Sequence, residues 1–533
     1  MPTKVIDNFT GNMVPQVNGD MNSGNSYWVD VFGYDPFTKP GNLTWSEQQT
    51  QIDSAGSVIT DLIMAGKTRV ESGIIYVYAI GHTGRLYKIQ VNNPATSNPN
   101  FDNPVLLATL TAESPTFTTG GFIDFFGSTE RIYIGHDKGV TRVNFDGTSE
   151  TFVGVAGSYT ASVPRVLQQF LGKLYFGNGT NIGEIDSTAT ITTYTKLSPG
   201  LPVSTQLRDI RTSIDGNYLN IISSEQGVNS LLATTPDVPL TAPSNSYLFR
   251  WNGIDTGYTS SVLFPKTVLT AMAIGANAEW YMGYDHFSTC IFKGFEKIET
   301  SLPDIPAGST SPNSIFTLGN QMVWGQQIFY LGNDWFIAQI YGKLDKNVPE
   351  GFWPVNFHQA ISPETDIINV PMFSMVSSIG RSGAASSYTD QLYMFPKVYY
   401  STLETSTGPT TKYRFYKWPL YPTGQGTPIS GALFQTQNQL FSEKIAIKEV
   451  RVYVDPLVAN NAFTIDLIGT NDIPITNASQ TFTVGTNATA GDDLLRYAPD
   501  ANQTYTLGLR ITNAGTKNMV FHKVEIDYEF VKS

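Results

Sequence analysis

The residues able to do chemistry are few, and their spacing suits little of it. The single cysteine, Cys290, stands in the apolar run Ser288-Thr289-Cys290-Ile291-Phe292. One thiol makes neither an intrachain disulfide nor a cysteine-based metal site. As a nucleophile it needs a nearby base, and His286, four residues away in a strand, would lie about 13 Å off on the same face. Cys290 therefore reads as a small buried hydrophobe. The other histidines, His82, His136, His358 and His522, are far apart. His82 and His136 each follow a glycine in the turn of a repeated hairpin, so two imidazoles could line one face of a ring as ligands. A third copy carries Asn178 there, which favours a polar residue that closes the turn.

Paired carboxylates for glycoside hydrolysis must sit some 5–10 Å apart, and propellers do host such enzymes, but sequence alone does not pair carboxylates across blades. Ser213-Ile214-Asp215-Gly216-Asn217 approaches an Asp-box, but its glycine is displaced and no tryptophan follows. Asn144-Phe145-Asp146-Gly147-Thr148 and Asn471-Asp472 offer oxygen ligands without the spacing of a calcium loop, and turn chemistry explains them as well. No phosphate-binding glycine loop opens a helix. The chain is expected not to be an enzyme and to hold no cofactor or metal. Most of its tryptophans lie in apolar strand contexts. Trp45 and Trp353, the latter in Gly351-Phe352-Trp353-Pro354, are the aromatics expected to be exposed, for glycan or interface contact.

What must position these residues is a repeat. Ile75-Tyr76-Val77-Tyr78 leads to Gly81-His82-Thr83-Gly84 and Arg85-Leu86-Tyr87-Lys88-Ile89. Ile132-Tyr133-Ile134 leads to Gly135-His136-Asp137-Lys138-Gly139 and Val140-Thr141-Arg142-Val143. Leu174-Tyr175-Phe176 leads to Gly177-Asn178-Gly179 and Ile182-Gly183-Glu184-Ile185-Asp186. Tyr76, Tyr133 and Tyr175 are 57 and 42 residues apart. A hairpin cannot bury both faces alone, so copies must stack, and a period near 40–50 residues points to propeller blades. Weaker copies continue through Tyr218, Trp251, Trp280, Trp324, Trp335, Tyr393 and Trp418. The expected fold is all-β, a propeller of about seven blades over 56–425. Residues 55–67 fit a short helix or a buried strand equally.

Pro419 to Pro428 reads as a linker. Beyond it Ile447–Val454, Tyr505–Ile511 and Val520–Tyr528 alternate apolar and polar residues, the mark of strands with one wet face. Residues 426–533 are expected to form an antiparallel β-sandwich. Residues 1–55, with strand-like Tyr27–Phe32 and Leu43–Trp45, are expected to be either an arm that docks on a neighbour or the strands that close the ring.

The 533 residues suffice for two or three domains. Charged residues make up only 15%, below the roughly 25% of an average soluble domain, so Ser, Thr, Asn, Gln and Gly must supply much of the surface. The net charge of −12 and the absence of any Lys/Arg cluster argue against a nucleic-acid footprint. No apolar stretch approaches the length of a membrane helix, and the N-terminus shows no secretory pattern.

The opening Asn8-Phe9-Thr10-Gly11-Asn12-Met13, the glycine- and proline-rich approach to the first blade, and the closing Lys523-Val524-Glu525-Ile526-Asp527-Tyr528-Glu529-Phe530 resemble bacteriophage tail proteins. The layout of propeller and terminal sandwich is similar to nozzle or tail-tip proteins of short-tailed phages. Asn12 stands where those proteins usually have a second glycine. The resemblance implies a structural virion protein in the phage tail, assembling with copies of itself and other tail proteins around the DNA exit channel. An acidic lumen would then keep DNA from sticking. The alternative it leaves open is a propeller that binds a host surface glycan.

Overall fold

The computed structural model describes residues 1–7, 9, 28–32, 42–45, 50–51, 59, 63–90, 103–117, 121–225, 245–275, 278–284, 289–298, 323–332, 335–342, 351–357, 368–369, 391–394, 398–405, 411–418, 427–428, 431–436, 438–470, 473–500 and 503–531; between 323 and 418 the description is of the backbone. Strands dominate, and the one helical turn among the described residues is the 3₁₀ turn Ala156–Ser158.

Seven four-stranded antiparallel sheets follow one another, as blades of a propeller. Blade 1 holds Ile63–Glu71, Ile74–Gly81, Arg85–Gln90 and Asn103–Thr109. Blade 2 holds Phe122–Phe126, Arg131–His136, Gly139–Val143 and Thr151–Phe152. Blade 3 holds Leu167–Phe170, Lys173–Asn178, Asn181–Ile185 and Ile191–Thr193. Blade 4 holds Gln206–Thr212, Leu219–Ser224, Ser246–Trp251 and Ser260–Phe264. Blade 5 holds Val268–Ile274, Glu279–Tyr284, Thr289–Lys293 and Glu296–Ile298. Blade 6 holds Val323–Gly332, Trp335–Gly342, Gly351–Phe357 and Ile368–Asn369. Blade 7 holds Gln391–Met394, Val398–Thr405, Thr411–Trp418 and, as its fourth strand, Thr50–Gln51. First strands lie side by side from blade 1 to blade 6, and that of blade 7 lies against that of blade 1.

The repeat explains the packing. Second strands carry the tyrosines: Tyr78, Tyr133, Tyr175 and Tyr281 are buried. Their rings fill space between sheets, as where Tyr175 meets Trp251 edge-on at 5.2 Å. Their hydroxyls keep partners, as buried phenols must: Tyr78 donates to Glu71 Oε1 at 2.5 Å and Tyr281 to Glu279 Oε2 at 2.8 Å. The segment 55–67, open between helix and strand in the sequence, ends inside the strand Ile63–Glu71.

The C-terminal domain is a ten-stranded β structure. Its path runs Thr3–Ile6, Val520–Phe530, Gln439–Val454, Thr504–Asn513, Leu433–Thr436, Trp28–Phe32. Leu43–Thr44 also pairs with Val520–Phe530, Leu494–Tyr497 with Gln439–Val454, and Ala462–Ile468 joins Thr504–Asn513 to Pro474–Thr483. Val450, Val452, Val524 and Ile526 share one core with Ile465, Leu509 and Ile511. The alternation seen in the sequence is therefore real: between those valines, Arg451 forks onto Asp527 at 2.7 and 3.0 Å and reaches Glu525 at 2.9 Å.

The expected boundaries need correction at the N-terminus. Thr3–Ile6, Trp28–Phe32 and Leu43–Thr44 are neither a free arm nor part of the ring; they are strands of the C-terminal domain. Among the described residues of this segment, Thr50–Gln51 joins the ring, pairing with Tyr416 and Lys417. The physical reason is the edge rule: Thr3–Ile6 and Leu43–Thr44 cover the backbone of Val520–Phe530, and Trp28–Phe32 covers that of Leu433–Thr436.

Candidate functional site

Each blade folds back at a turn between its second and third strands, where the sequence placed His82, His136 and Asn178 in one register. The structure gives these turns a role at the seams between blades. His136 is fully buried; its Nε2 lies 3.0 Å from Thr141 Oγ1, and the rings of Phe117 and Phe152 flank it with centroids 5.9 and 6.0 Å away. Its Nδ1 is buried with no hydrogen-bond partner among the described residues. Asn178, its counterpart in blade 3, accepts from the Thr160 amide at 2.8 Å and donates to Tyr194 O at 3.1 Å. His82 is half-buried in the turn that Gly84 closes onto Gly81.

Between those two turns lies Arg165, at 0% exposure, on the 153–166 connection from blade 2 to blade 3. Its Nη1 donates to Gly177 O at 2.9 Å and Asn178 Oδ1 at 2.7 Å. Its Nη2 donates to Thr160 O at 2.6 Å and Asp137 O at 3.3 Å. The Tyr159 ring lies 5.0 Å from the guanidinium carbon. Burial lowers this guanidinium to about 10, against the opposing pull of Tyr159 and Asp137. Burial also lowers His136 to about 4, with the Arg165 charge acting in the same direction. Gly135 makes this approach feasible: a Cβ there would stand 2.2 Å from Arg165 O. The sequence marked the turn positions, but nothing in it marked Arg165, which stands in Val163-Pro164-Arg165-Val166 without a motif.

A second polar series joins the first strands. Asp124 of blade 2 pairs with Lys67 of blade 1 and accepts from Gln169 Nε2 of blade 3 at 2.8 Å. Gln168 reaches Thr212 of blade 4 at 3.2 Å, and Asp209 of blade 4 accepts the Met272 amide of blade 5 at 3.2 Å. Burial raises the Asp209 carboxyl, with Arg211 and the two amides opposing. Glu184 shows the reverse balance. Burial raises it, but hydrogen bonds from Lys173, Thr192 and Lys196 outweigh that and hold it at about 2. Asp124, Gln168 and Asp209 thus tie neighbouring blades, while the Glu184 partners lie on blade 3 and the connection that follows it.

The remaining sequence candidates are dispersed. Trp45, expected exposed, is instead fully buried in the C-terminal core. It meets Phe521 edge-on at 5.9 Å and exchanges backbone hydrogen bonds with the Asn518 amide. It offers no surface to a glycan or a neighbour. Trp353 lies on the third strand of blade 6 opposite Ala338, and its side chain is outside the described residues. Cys290 sits on the third strand of blade 5 opposite Gly283, while His286 and His358 are outside the described residues. Asp146 accepts from the Thr148 amide and hydroxyl at 2.9 and 2.6 Å, so it caps its own turn. Ser213 and Asp215 likewise bond each other at 2.5 Å across an exposed turn of blade 4. No cluster of three metal-ligating side chains occurs among the described residues, nor any helix long and apolar enough to cross a membrane.

No protein-family model matches the chain, and no curated protein matches it. Among solved structures it is similar to the extracellular domain of a one-component system from B. thetaiotaomicron, at 10% identity over 98% of this chain and 64% of that one, with a TM-score of 0.38. This chain thus spans less than two thirds of that structure's length. It is also similar to the Dos1 propeller, at 9% identity over 72% and 92% with a TM-score of 0.37. The GH74 enzyme of Niastella koreensis follows at 12% identity over 76% and 71%, with a TM-score of 0.35. The propeller itself rests on the seven sheets and on the closure of the ring by Thr50–Gln51.

Proposed function

We propose that the chain is a structural subunit of a bacteriophage tail, associating with copies of itself and other tail proteins in a ring around the DNA exit channel, as a nozzle or tail-tip component. The observation that carries the assembly part of this reading is an apolar face on the propeller. Val70 and Ile74 of blade 1, Leu171 of blade 3, Ile214 and Ile254 of blade 4 and Phe295 of blade 5 are exposed. All lie at turns joining first to second or third to fourth strands, which in an antiparallel blade share one side. Across blades 3 to 5 they are neighbours. A Cβ on Gly253 would stand 3.0 Å from Leu171 Cδ1, the Ile214 amide donates to Glu279 Oε1 at 3.2 Å, and Arg250, bonded to Glu279 at 2.6 Å, lies 6.0 Å from the Phe295 ring. Exposed apolar side chains gathered on one face mark an interaction site. The tail assignment is supported by the resemblance in layout and by the low charge content.

Light scattering during size-exclusion chromatography tests the assembly. A defined oligomer of the 58.5 kDa chain is expected, and Ile254→Asp with Phe295→Asp should release monomers that keep their β spectrum. A chain that stays monomeric at every concentration overturns the reading. Mass spectrometry of purified phage particles that encode the chain tests its place in the tail, and its absence from them overturns that part.

A further inference from the structure

We infer that the joint between blades 2 and 3 is acid-sensitive: a proton taken up by His136 sets a second cation against the buried Arg165 guanidinium and releases the 153–166 connection. This rests on the seam itself and stands whether or not the chain forms a ring.

The geometry leaves an imidazolium nowhere to go. His136 is at 0% exposure, and its Nδ1 has no hydrogen-bond partner among the described residues. Protonation makes both ring nitrogens donors, so the new N–H would be buried without an acceptor. The charged groups around the ring come from two elements. Its own turn supplies Asp137 and Lys138, and the 153–166 connection supplies Arg165. The third strand supplies only the Thr141 hydroxyl, while the outer strand and the 110–117 connection supply the Phe152 and Phe117 rings. Of these groups Asp137 alone favours the charged ring, and burial, Arg165 and Lys138 outweigh it. Arg165 is the sensitive partner because the four oxygens that accept from its guanidinium are three carbonyls and one side-chain amide, none of them charged. One of those carbonyls belongs to Asp137, the residue next to His136, so repulsion at the imidazole acts on the bond that ties Arg165 to blade 2. The remaining bonds run to blade 3 or to Thr160, so the connection should part from blade 2 first.

The sign follows from linkage. The closed seam holds His136 at about 4, whereas an open one returns it toward 6.5. Between those values the open state binds more protons, so opening is favoured as pH falls, by about tenfold for each pH unit. Above about pH 6.5 both states carry a neutral ring and the seam is indifferent to pH.

Hydrogen exchange of the full chain, read on peptides of 153–166 from pH 7 to pH 4 and corrected for intrinsic rates, tests this. In the native protein the opening constant should climb about tenfold per pH unit below 6.5. In His136→Asn, which installs the residue that blade 3 uses at the same turn, it should stay flat. An equal climb in both proteins, or none in the native one, overturns the inference. Should the variant fail to fold, the native protein decides alone through the carbon signals of its labelled histidine rings. One ring that stays neutral down to about pH 4 supports the inference; five rings that all titrate near 6.5 overturn it.

Discussion

Arg165 donates to the side-chain oxygen of Asn178 at 2.7 Å, and that same oxygen accepts the Thr160 amide at 2.8 Å, so one asparagine fixes both the guanidinium and the loop that delivers it. Removing the guanidinium would take a donor from Gly177 O, Thr160 O and Asp137 O and one of two from Asn178 Oδ1. Arg165→Leu should therefore lower propeller stability by roughly 1–3 kcal/mol, read as a fall in the urea midpoint. Arg165→Lys should recover little, because a point-like ammonium cannot span four oxygens as the planar fork does.

Gly135 and Gly157 make a matched pair for testing close packing. A Cβ at Gly135 would stand 2.2 Å from Arg165 O, whereas one at Gly157 would meet nothing within 4 Å. Gly135→Ala should cost about 1–3 kcal/mol, and Gly157→Ala should leave the thermal midpoint within error.

Lys4 is buried in the C-terminal domain, where its ammonium donates to Leu507 O at 2.7 Å and burial lowers it to about 8. A lysine lowered in the folded state disfavours folding most at pH values where both states are charged, here below about 8. Between about 8 and 10.5 the unfolded chain binds the extra proton, so stability should rise with pH across that window. Lys4→Met should raise stability at pH 7 by about 1–3 kcal/mol and flatten the rise. Denaturation at pH 7, 9 and 10.5 checks both, and a Lys4→Met protein that retains the rise would assign it to another group.

Deleting residues 1–7 removes the strand Thr3–Ile6 and uncovers the backbone of Val524–Asp527. The C-terminal domain should then unfold at lower temperature and aggregate through its open edge, while the propeller transition stays in place. Calorimetry on the full-length and shortened chains separates the two transitions.

The propeller was legible because its signal is local. Tyrosine-rich second strands and glycine turns at Gly81, Gly135 and Gly177 recur within short stretches, and each copy must stack on another. The sandwich was legible for the same reason, through the period-two alternation around Val450 and Val452. The N-terminal strands were not legible as part of it: pairing of Thr3 with Asp527 is decided by which edge is vacant in three dimensions, and no local pattern encodes that. Trp45 was misread because Leu43-Thr44-Trp45 lies in a polar neighbourhood of sequence, yet Phe521, which covers it, arrives from the far end of the chain. Arg165 was missed because an isolated arginine before a strand is ordinarily a solvated one. The burial of His136 was not legible, because Phe117 and Phe152, which flank it, arrive from other segments of the chain.

The covering of Val520–Phe530 by Thr3–Ile6 also sets a clock on biosynthesis. The first of these strands leaves the ribosome some 25–100 seconds before the last, at about 5–20 residues per second. During that interval seven blades can form while Thr3–Ile6 waits with its partner unmade. A chain cut short anywhere before residue 520 lacks that partner and leaves Thr3–Ile6 unpaired with it.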